Sequence, residues 1–356
     1  MTTRADLSEI LSADASTPTK TFVIEAHPAS DSTLLLQELA GRPECLEATD
    51  DAFLFRLWVP EEQNCFWVDQ LDERFWSFHT NMPAAPASRY LKQHVGSRHD
   101  LDWVWLPSDH LRTVWPNAPT RGVRSRFEGQ LLRGPGSFDD VRIKLAGRSV
   151  EFFLEYLSRD PEIRSAVPFD GIEVALDDPN LGSITEAVDR KGRFAVSGNS
   201  LEFHVQFVET VVGRYRKLVE LCEQKALAWT GFDRSQSESG GRMVGGPIVI
   251  SFSRSIDDIE RFVDSLFSSR EPFRLWGVPR IEDGVAEIEA VDLHVGEVLR
   301  IDIGEKWLRI YLPKGGCGNS VVRMASNLQH RFDATLVFAD PELQAALKGI
   351  SPPLMV

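Results

Sequence analysis

Short apolar runs with β-like residue choice alternate along this chain with stretches whose apolar positions recur at helical spacing. Residues 21–25 (Thr-Phe-Val-Ile-Glu) and 247–251 (Pro-Ile-Val-Ile-Ser) predict strands. Each is followed by a helix-like stretch, 32–40 and 256–267, and then by the tetrapeptide Phe-Arg-Leu-Trp, at 55–58 and again at 273–276. β-Like runs ending at Phe75-Trp76 and Lys306-Trp307 come next. A second helix follows, carrying Gln93-His94 in one place and Gln329-His330 in the other, and then a closing strand at 102–106 or 335–339. In the middle third, alternation over 140–145 predicts a strand and Val150, Phe153, Leu154 and Leu157 form one helical stripe. Runs at 171–176, 182–188 and 193–197 predict further strands, and a long amphipathic helix closes the region at 200–228.

The shared order predicts an α+β protein of two or three repeated strand-helix-strands-helix units with antiparallel sheets, the last third being a diverged copy of the first. This element order is similar to TATA-binding-protein-like and helix-grip folds, a likeness of topology that transfers no function. Pro-, Gly- and Arg-rich sequence at 121–138 and Ser/Gly-rich sequence at 232–246 predict linkers. They leave a flexible tail at 1–18, a Trp-rich acidic unit at 19–120, a second unit at 139–231 and a third at 247–350.

A hydrophobic share of 42% over 356 residues is enough to build several cores. No run of about 18 apolar residues occurs, and residues 1–20 lack the basic and apolar regions of a signal peptide, so the expectation is a cytoplasmic protein without a membrane partner. Cys45, Cys65, Cys222 and Cys317 lie far apart with no CxxC or CxxH spacing, which indicates neither disulfides nor a zinc site, and no cofactor is implied. The net charge of −14 is concentrated in residues 1–120, with 9 basic against 18 acidic side chains, which disfavours nucleic-acid binding by the surface as a whole. Segment 121–148 departs from that balance. Arg121, Arg124, Arg126, Arg133, Arg142, Lys144 and Arg148 stand against Glu128, Asp139 and Asp140, a local +4. Arginine forks there suit phosphate, while a solvated linker paired with the acidic first third is the structural alternative.

Candidate chemistry is sparse. Residues 314–320 (Lys-Gly-Gly-Cys-Gly-Asn-Ser) form a glycine-rich turn before a helix, where backbone N–H groups can lower a thiol pKa; Cys317 is then a weak candidate nucleophile with His294 or His330 as base. The same glycines also suit a plain strand-to-helix turn. His204 sits on an apolar stripe, the usual place of a core histidine. Six of the nine tryptophans lie in the first third, among them Trp58, Trp103 and Trp105, as core or as a recognition patch for a protein partner. The sequence therefore predicts a non-catalytic binding protein, an adaptor or accessory subunit of a larger assembly. The alternatives are a nucleic-acid-binding protein using segment 121–148 and a cysteine-dependent enzyme at Cys317.

Overall fold

Period-two alternation sets the strands and 3.6-residue stripes set the helices in the computed structural model, which describes residues 2–12, 18–27, 32–133, 140–230 and 242–349. The first third runs through α1 (Arg4–Ser12), β1 (Thr19–Ala26), α2 (Ser32–Ala40), β2 (Leu46–Ala48), β3 (Leu54–Val59), β4 (Asn64–Asp69), β5 (Phe75–Thr80), α3 (Ala84–Ser97) and β6 (Leu101–Trp103). The middle comprises α4 (Ser108–Arg112), β7 (Thr120–Glu128), α5 (Gln130–Arg133), β8 (Asp140–Ala146), α6 (Val150–Leu157), α7 (Pro161–Arg164), β9 (Phe169–Asp178), β10 (Gly182–Asp189), β11 (Arg193–Gly198), α8 (Leu201–Gln224) and β12 (Ala228–Thr230). The remainder is β13 (Arg242–Val244), β14 (Ile248–Ser251), α9 (Ile259–Leu266), β15 (Leu275–Glu282), β16 (Val285–Asp292), β17 (Val298–Gly304), β18 (Trp307–Tyr311), α10 (Gly318–Arg331), β19 (Val337–Phe338) and α11 (Pro341–Leu347).

The fold is α+β, and its strands pair antiparallel. One sheet has the order β2-β3-β4-β5-β1-β11-β10-β9-β7-β8, with β6 also on β1, and a second has β15-β16-β17-β18-β14-β19. The small β12-β13 pair stands apart. Strand β1 joins two regions of the large sheet because it changes partner along its length: Thr19–Phe22 pair with β11, and Ile24–Ala26 pair with β6. The strand order of the first third, β2-β3-β4-β5-β1-β6, runs parallel in chain sense to that of the second sheet. The two Phe-Arg-Leu-Trp tetrapeptides do not mark equivalent places in that order. Phe55–Trp58 lie in β3, the second strand of its meander, whereas Leu275 and Trp276 open β15, the first. Gln93-His94 and Gln329-His330 do fall on matching helices, α3 and α10.

Helix α10 is the axle of the molecule. Every residue from Gly318 to His330 is buried although the helix carries Asn319, Ser320, Arg323, Ser326, Asn327 and Gln329. Such a helix is tolerated only if its polar groups are paired. The Asn319 side chain meets Tyr215 of α8, Gln329 donates to Asp109 (2.9 Å), and Asn327 accepts from Arg190 (2.8 Å).

Several sequence-based expectations change. Residues 4–12, assigned to a frayed tail, form α1, which buries Leu7 and Leu11 against Leu54 and Trp67. The expected linker at 121–138 contains β7, a strand with a neighbour on each side, and its residues 134–139 lie outside the described residues. Alternation of Val123, Ser125 and Phe127 facing inward explains the strand. Of the linker expected at 232–246, residues 231–241 lie outside the described residues and 242–244 pair as β13. Trp67, Trp76, Trp103 and Trp105 are buried, and Trp58 and Trp115 are partly exposed.

Burial of neutral histidines gives the fold an acid limit. His110, whose ring nitrogen Nε2 bonds the Ala346 carbonyl (2.7 Å), is held down at about 4 by burial, against an ordinary 6.5. His79, in contact with Thr21, is likewise lowered to about 4 by burial, with the His204 charge adding to it. A depressed folded-state pKa means that the unfolded chain takes up protons first, so this stability is full above pH 6.5 and is lost as pH falls from 6.5 toward 4. Unfolding free energies from urea titrations across that window are expected to drop, by up to about 1.4 kcal/mol per pH unit for each such histidine. His110→Gln should flatten the drop, and an unchanged profile would sink this assignment.

Candidate functional site

Three distant segments meet where β1 ends against the amino end of α10. Along β1, Phe22, Ile24 and Ala26 face one core, so Thr21, Val23 and Glu25 face the other, and a carboxylate is carried fully inside by strand period alone. His27 follows directly, its backbone N–H donating to Asp100 O (2.8 Å). His294 lies in the turn after β16, where its N–H donates to Asp292 Oδ1 (2.9 Å) and Gly296 takes a left-handed φ of 75° that closes the turn. Cys317 is the cap residue of α10, delivered by a turn in which Gly316 N donates to Pro313 O (2.9 Å).

One ligand atom from each of Glu25, His27, His294 and Cys317 lies within 4.8 Å of all the others. Cys317 Sγ is 3.6 and 3.7 Å from the two Glu25 oxygens and 3.6 Å from His27 Nε2. Glu25 Oε1 is 3.3 Å from His27 Nε2, and Oε2 is 3.2 Å from His294 Nε2. Around them, Arg74 donates to Glu25 Oε1 (2.7 Å) and Glu223 Oε1 (2.7 Å) and lies 3.5 Å from Cys317 Sγ. Cys317 N donates to Glu297 Oε2 (3.1 Å), and Gly318 N donates to Glu223 Oε1 (2.9 Å), so two carboxylates cap the helix. His294 Nδ1 is buried and has no hydrogen-bond partner among the described residues.

A catalytic relay and a metal cage make different demands on these atoms. In a relay the imidazole touches the nucleophile with one ring nitrogen and the carboxylate with the other. Here the thiol and the carboxylate both meet the same nitrogen of His27, Nε2. Tetrahedral zinc with bonds of about 2.0–2.3 Å separates its ligand atoms by about 3.3–3.7 Å, and the Cys317–Glu25, Cys317–His27, Glu25–His27 and Glu25–His294 separations, the last two made by different carboxylate oxygens, match that range to within about 0.1 Å. The donor set of one thiolate, two imidazoles and one carboxylate suits zinc and its neighbours rather than calcium or magnesium.

The electrostatics agree. Burial pushes the Cys317 thiol well above its ordinary value and the Glu25 charge adds to it, with Arg74 opposing, so the thiol is a poor nucleophile at neutral pH. For Glu25, burial acts upward, but hydrogen bonds from His27 and His294 and the Arg74 charge outweigh it and hold the carboxyl well below the usual range. A divalent ion with one thiolate and one carboxylate is neutral, and Arg74 with Glu223 adds no net charge, so the filled cage carries little Born penalty.

Of the residues singled out in the sequence, Cys317 and His294 are brought together, while His330 is directed elsewhere, to the Arg126 carbonyl (2.9 Å). Glu25 and His27 were missed. Arg124 and Arg126 are exposed on β7, Arg121 lies at the start of that strand and is partly exposed, and Arg133 in α5 packs its guanidinium 5.7 Å from the Phe127 ring. Trp103 and Trp105 lie under Lys191, whose Nζ is 5.3 and 4.9 Å from their rings, and Arg56 stacks 5.5 Å from Trp58.

The profile of the family described as MJECL33-like protein matches residues 9–345. A protein of Methanocaldococcus jannaschii described as "Uncharacterized protein MJECL33" is 23% identical across 89% of this chain and 85% of its own length. No solved structure matches the chain.

Proposed function

We propose that this chain, which belongs to the MJECL33-like protein family, is a metal-binding protein that holds one zinc-class divalent ion on Glu25, His27, His294 and Cys317 and uses it for binding rather than for chemistry. The observation that carries the proposal is the convergence of one ligand atom from each of four residues to within 4.8 Å of one another, with four of the six pairs at distances that suit tetrahedral zinc. Four protein ligands leave no open position for substrate, which is the difference between a structural and a catalytic zinc. The ion would tie β1 of the first third to the β16–β17 turn and α10 of the last. The matching strand orders of those thirds support reading them as duplicated units with the ion at their junction, and a TATA-binding-protein-like or helix-grip-like arrangement is an analogy of topology on top of that. An adaptor or accessory role fits such a protein, without the buried tryptophans as its contact surface.

Cobalt substitution tests the site. Metal-free protein titrated with Co²⁺ is expected to reach a one-to-one endpoint with intense visible bands of tetrahedral cobalt and a near-ultraviolet thiolate charge-transfer band. Cys317→Ser should lose the charge-transfer band. Weak octahedral bands, or no uptake by folded protein, would overturn the proposal.

A further inference from the structure

Away from the metal ligands, a row of hydrogen bonds crosses the large sheet. Glu186 Oε1 lies 2.6 Å from His204 Nδ1, His204 Nε2 lies 2.7 Å from Thr21 Oγ1, and Thr21 Oγ1 lies 2.8 Å from His79 Nδ1. The four residues come from β10, α8, β1 and β5, and none is more than 4% exposed. A hydroxyl carries one proton, so Thr21 donates to one imidazole and accepts from the other, and the whole row points one way. Two arrangements satisfy every contact with both rings neutral. In the first, Glu186 is ionised, both histidines hold their proton on Nδ1, and His79 Nε2 is a bare acceptor. In the second, Glu186 is protonated, both histidines hold their proton on Nε2, and His79 Nε2 is a donor. The two differ by one proton, taken up at His79 and stored on Glu186. A purely structural role leaves Glu186 unexplained, because its Oε2 is buried with no hydrogen-bond partner among the described residues. Burial raises its carboxyl above the ordinary range, with His204 opposing.

The outer end of the row opens on a cleft. Thr21 takes Nδ1 of His79, so Nε2 is the ring atom left for a ligand, and His79 lines a cleft of about 330 Å³ between β5 and α8. That volume is at the small end of ligand pockets. One wall is apolar, formed by Phe75, Val208 and Val212. At the rim Asp69 is paired with Arg4 (2.6 Å) and Asp72 with Arg216, which leaves the Glu209 carboxylate without an ion-pair partner among the described residues. Gly213, in the middle of α8, also lines the cleft. Glycine weakens a helix interior, and a Cβ there would meet nothing within 4 Å, so packing does not require it; its effect is to leave the cleft open.

We propose that this cleft binds a small apolar ammonium ion whose N–H donates to His79 Nε2, and that the buried row takes the ligand's proton. The apolar wall receives the carbon body, while Glu209 and the ionised Glu186 supply the unbalanced negative charge. In the transfer, an N–H bond of the ammonium breaks and one forms at His79 Nε2. The His79 Nδ1 proton passes to Thr21 Oγ1, the Thr21 proton to His204 Nε2, and the His204 Nδ1 proton to Glu186 Oε1. The ligand becomes a free amine and Glu186 a neutral acid, and neither ring becomes a cation. His79 touches the ligand and meets the geometric demand on a general base; Thr21, His204 and Glu186 act through it.

The test is NMR of the full-length protein with isotopically labelled histidine rings, titrated at neutral pH with phenethylammonium and, as a neutral isostere, with phenethyl alcohol. Spectra of the ring nitrogens report which one carries the proton. His79 and His204 are expected to be Nδ1–H before the amine is added and Nε2–H after it. The alcohol should bind about tenfold more weakly or worse, since it lacks the charge-assisted hydrogen bond. In Glu186→Gln the amide carbonyl still accepts from His204 Nδ1 but cannot take a proton, so both rings should stay Nδ1–H in the presence of the amine. Gly213→Leu, which fills the cleft and leaves the row untouched, should weaken amine binding about tenfold or more while keeping the ligand-free ring spectrum. Absence of amine binding, equal binding of the alcohol, Nε2–H rings before the amine is added, an imidazolium at either histidine, or wild-type tautomers that stay fixed as the amine binds would each overturn the proposal.

Discussion

Cys317→Ser is expected to lower zinc affinity at least about 100-fold and to remove most of the thermal stabilisation that zinc confers. Loss of groups that only orient metal ligands typically costs 10- to 100-fold, and loss of a ligand should exceed that. An ion that binds the folded chain alone, present at about a thousand times its Kd, raises stability by about 4 kcal/mol. Chelated wild-type protein should therefore melt several degrees below the zinc-loaded form. The serine variant should melt near the chelated wild type with or without zinc. Cys65→Ser, at a half-buried thiol away from the cluster, is the control and should keep the full zinc shift. Equal zinc shifts in wild type and Cys317→Ser would remove Cys317 from the ligand set.

The ligands were only half legible in the sequence, and the reason is physical. Metal motifs are read from short spacings because local ligands share one turn or helix. Here Glu25 and His27 are separated from His294 and Cys317 by most of the chain, and only the pairing of β1 with β5 and β6, together with the packing of α10, brings them together. Cys317 and His294 stood out through a glycine-rich turn and a plausible base. Glu25 read as one more residue of a strand, and His27 carried no signal at all. Strand and helix types were legible from periodicity in most places, including 21–25, 182–188 and 201–224. Segment 121–128 was misread because its arginines suggested solvent. They occupy the outward half of an alternating strand whose inward half, Val123, Ser125 and Phe127, was the better clue. The shared tetrapeptide misled on register, since strand order follows hydrophobic pattern and pairing rather than a four-residue identity.

The largest stability loss is expected from Arg323→Met. Arg323 is fully buried in α10, its guanidinium bridging Asp102 beside β1 and Asp292 at the end of β16, with Nε donating to Phe273 O (3.0 Å). Asp102 also accepts from Trp105 Nε1 (3.1 Å), and Asp292 accepts from Ser320 and from the His294 backbone. One cation thus bridges two carboxylates that are themselves closed off from water, and Arg274 Nη1, 3.8 Å from Asp102, is the second cation beside them. Methionine fills much of the volume but leaves Asp292 without its guanidinium and Asp102 with only the more distant Arg274 (3.8 Å), and removing one partner of a buried pair costs about 3–5 kcal/mol. Urea unfolding should show that loss in the midpoint with an unchanged slope. Arg323→Lys keeps the charge but cannot bridge both carboxylates in a fork, so it should fall between the two. Adding D102N and D292N to Arg323→Met should recover part of the loss, because neutral amides in place of the carboxylates need no cation. A loss below about 1 kcal/mol would mean that water reaches the carboxylates and the bridge is not a closed one. Because Asp292 fixes the backbone of His294, the same variant is expected to weaken zinc binding, which makes the buried bridge and the metal cage two parts of one joint between the sheets.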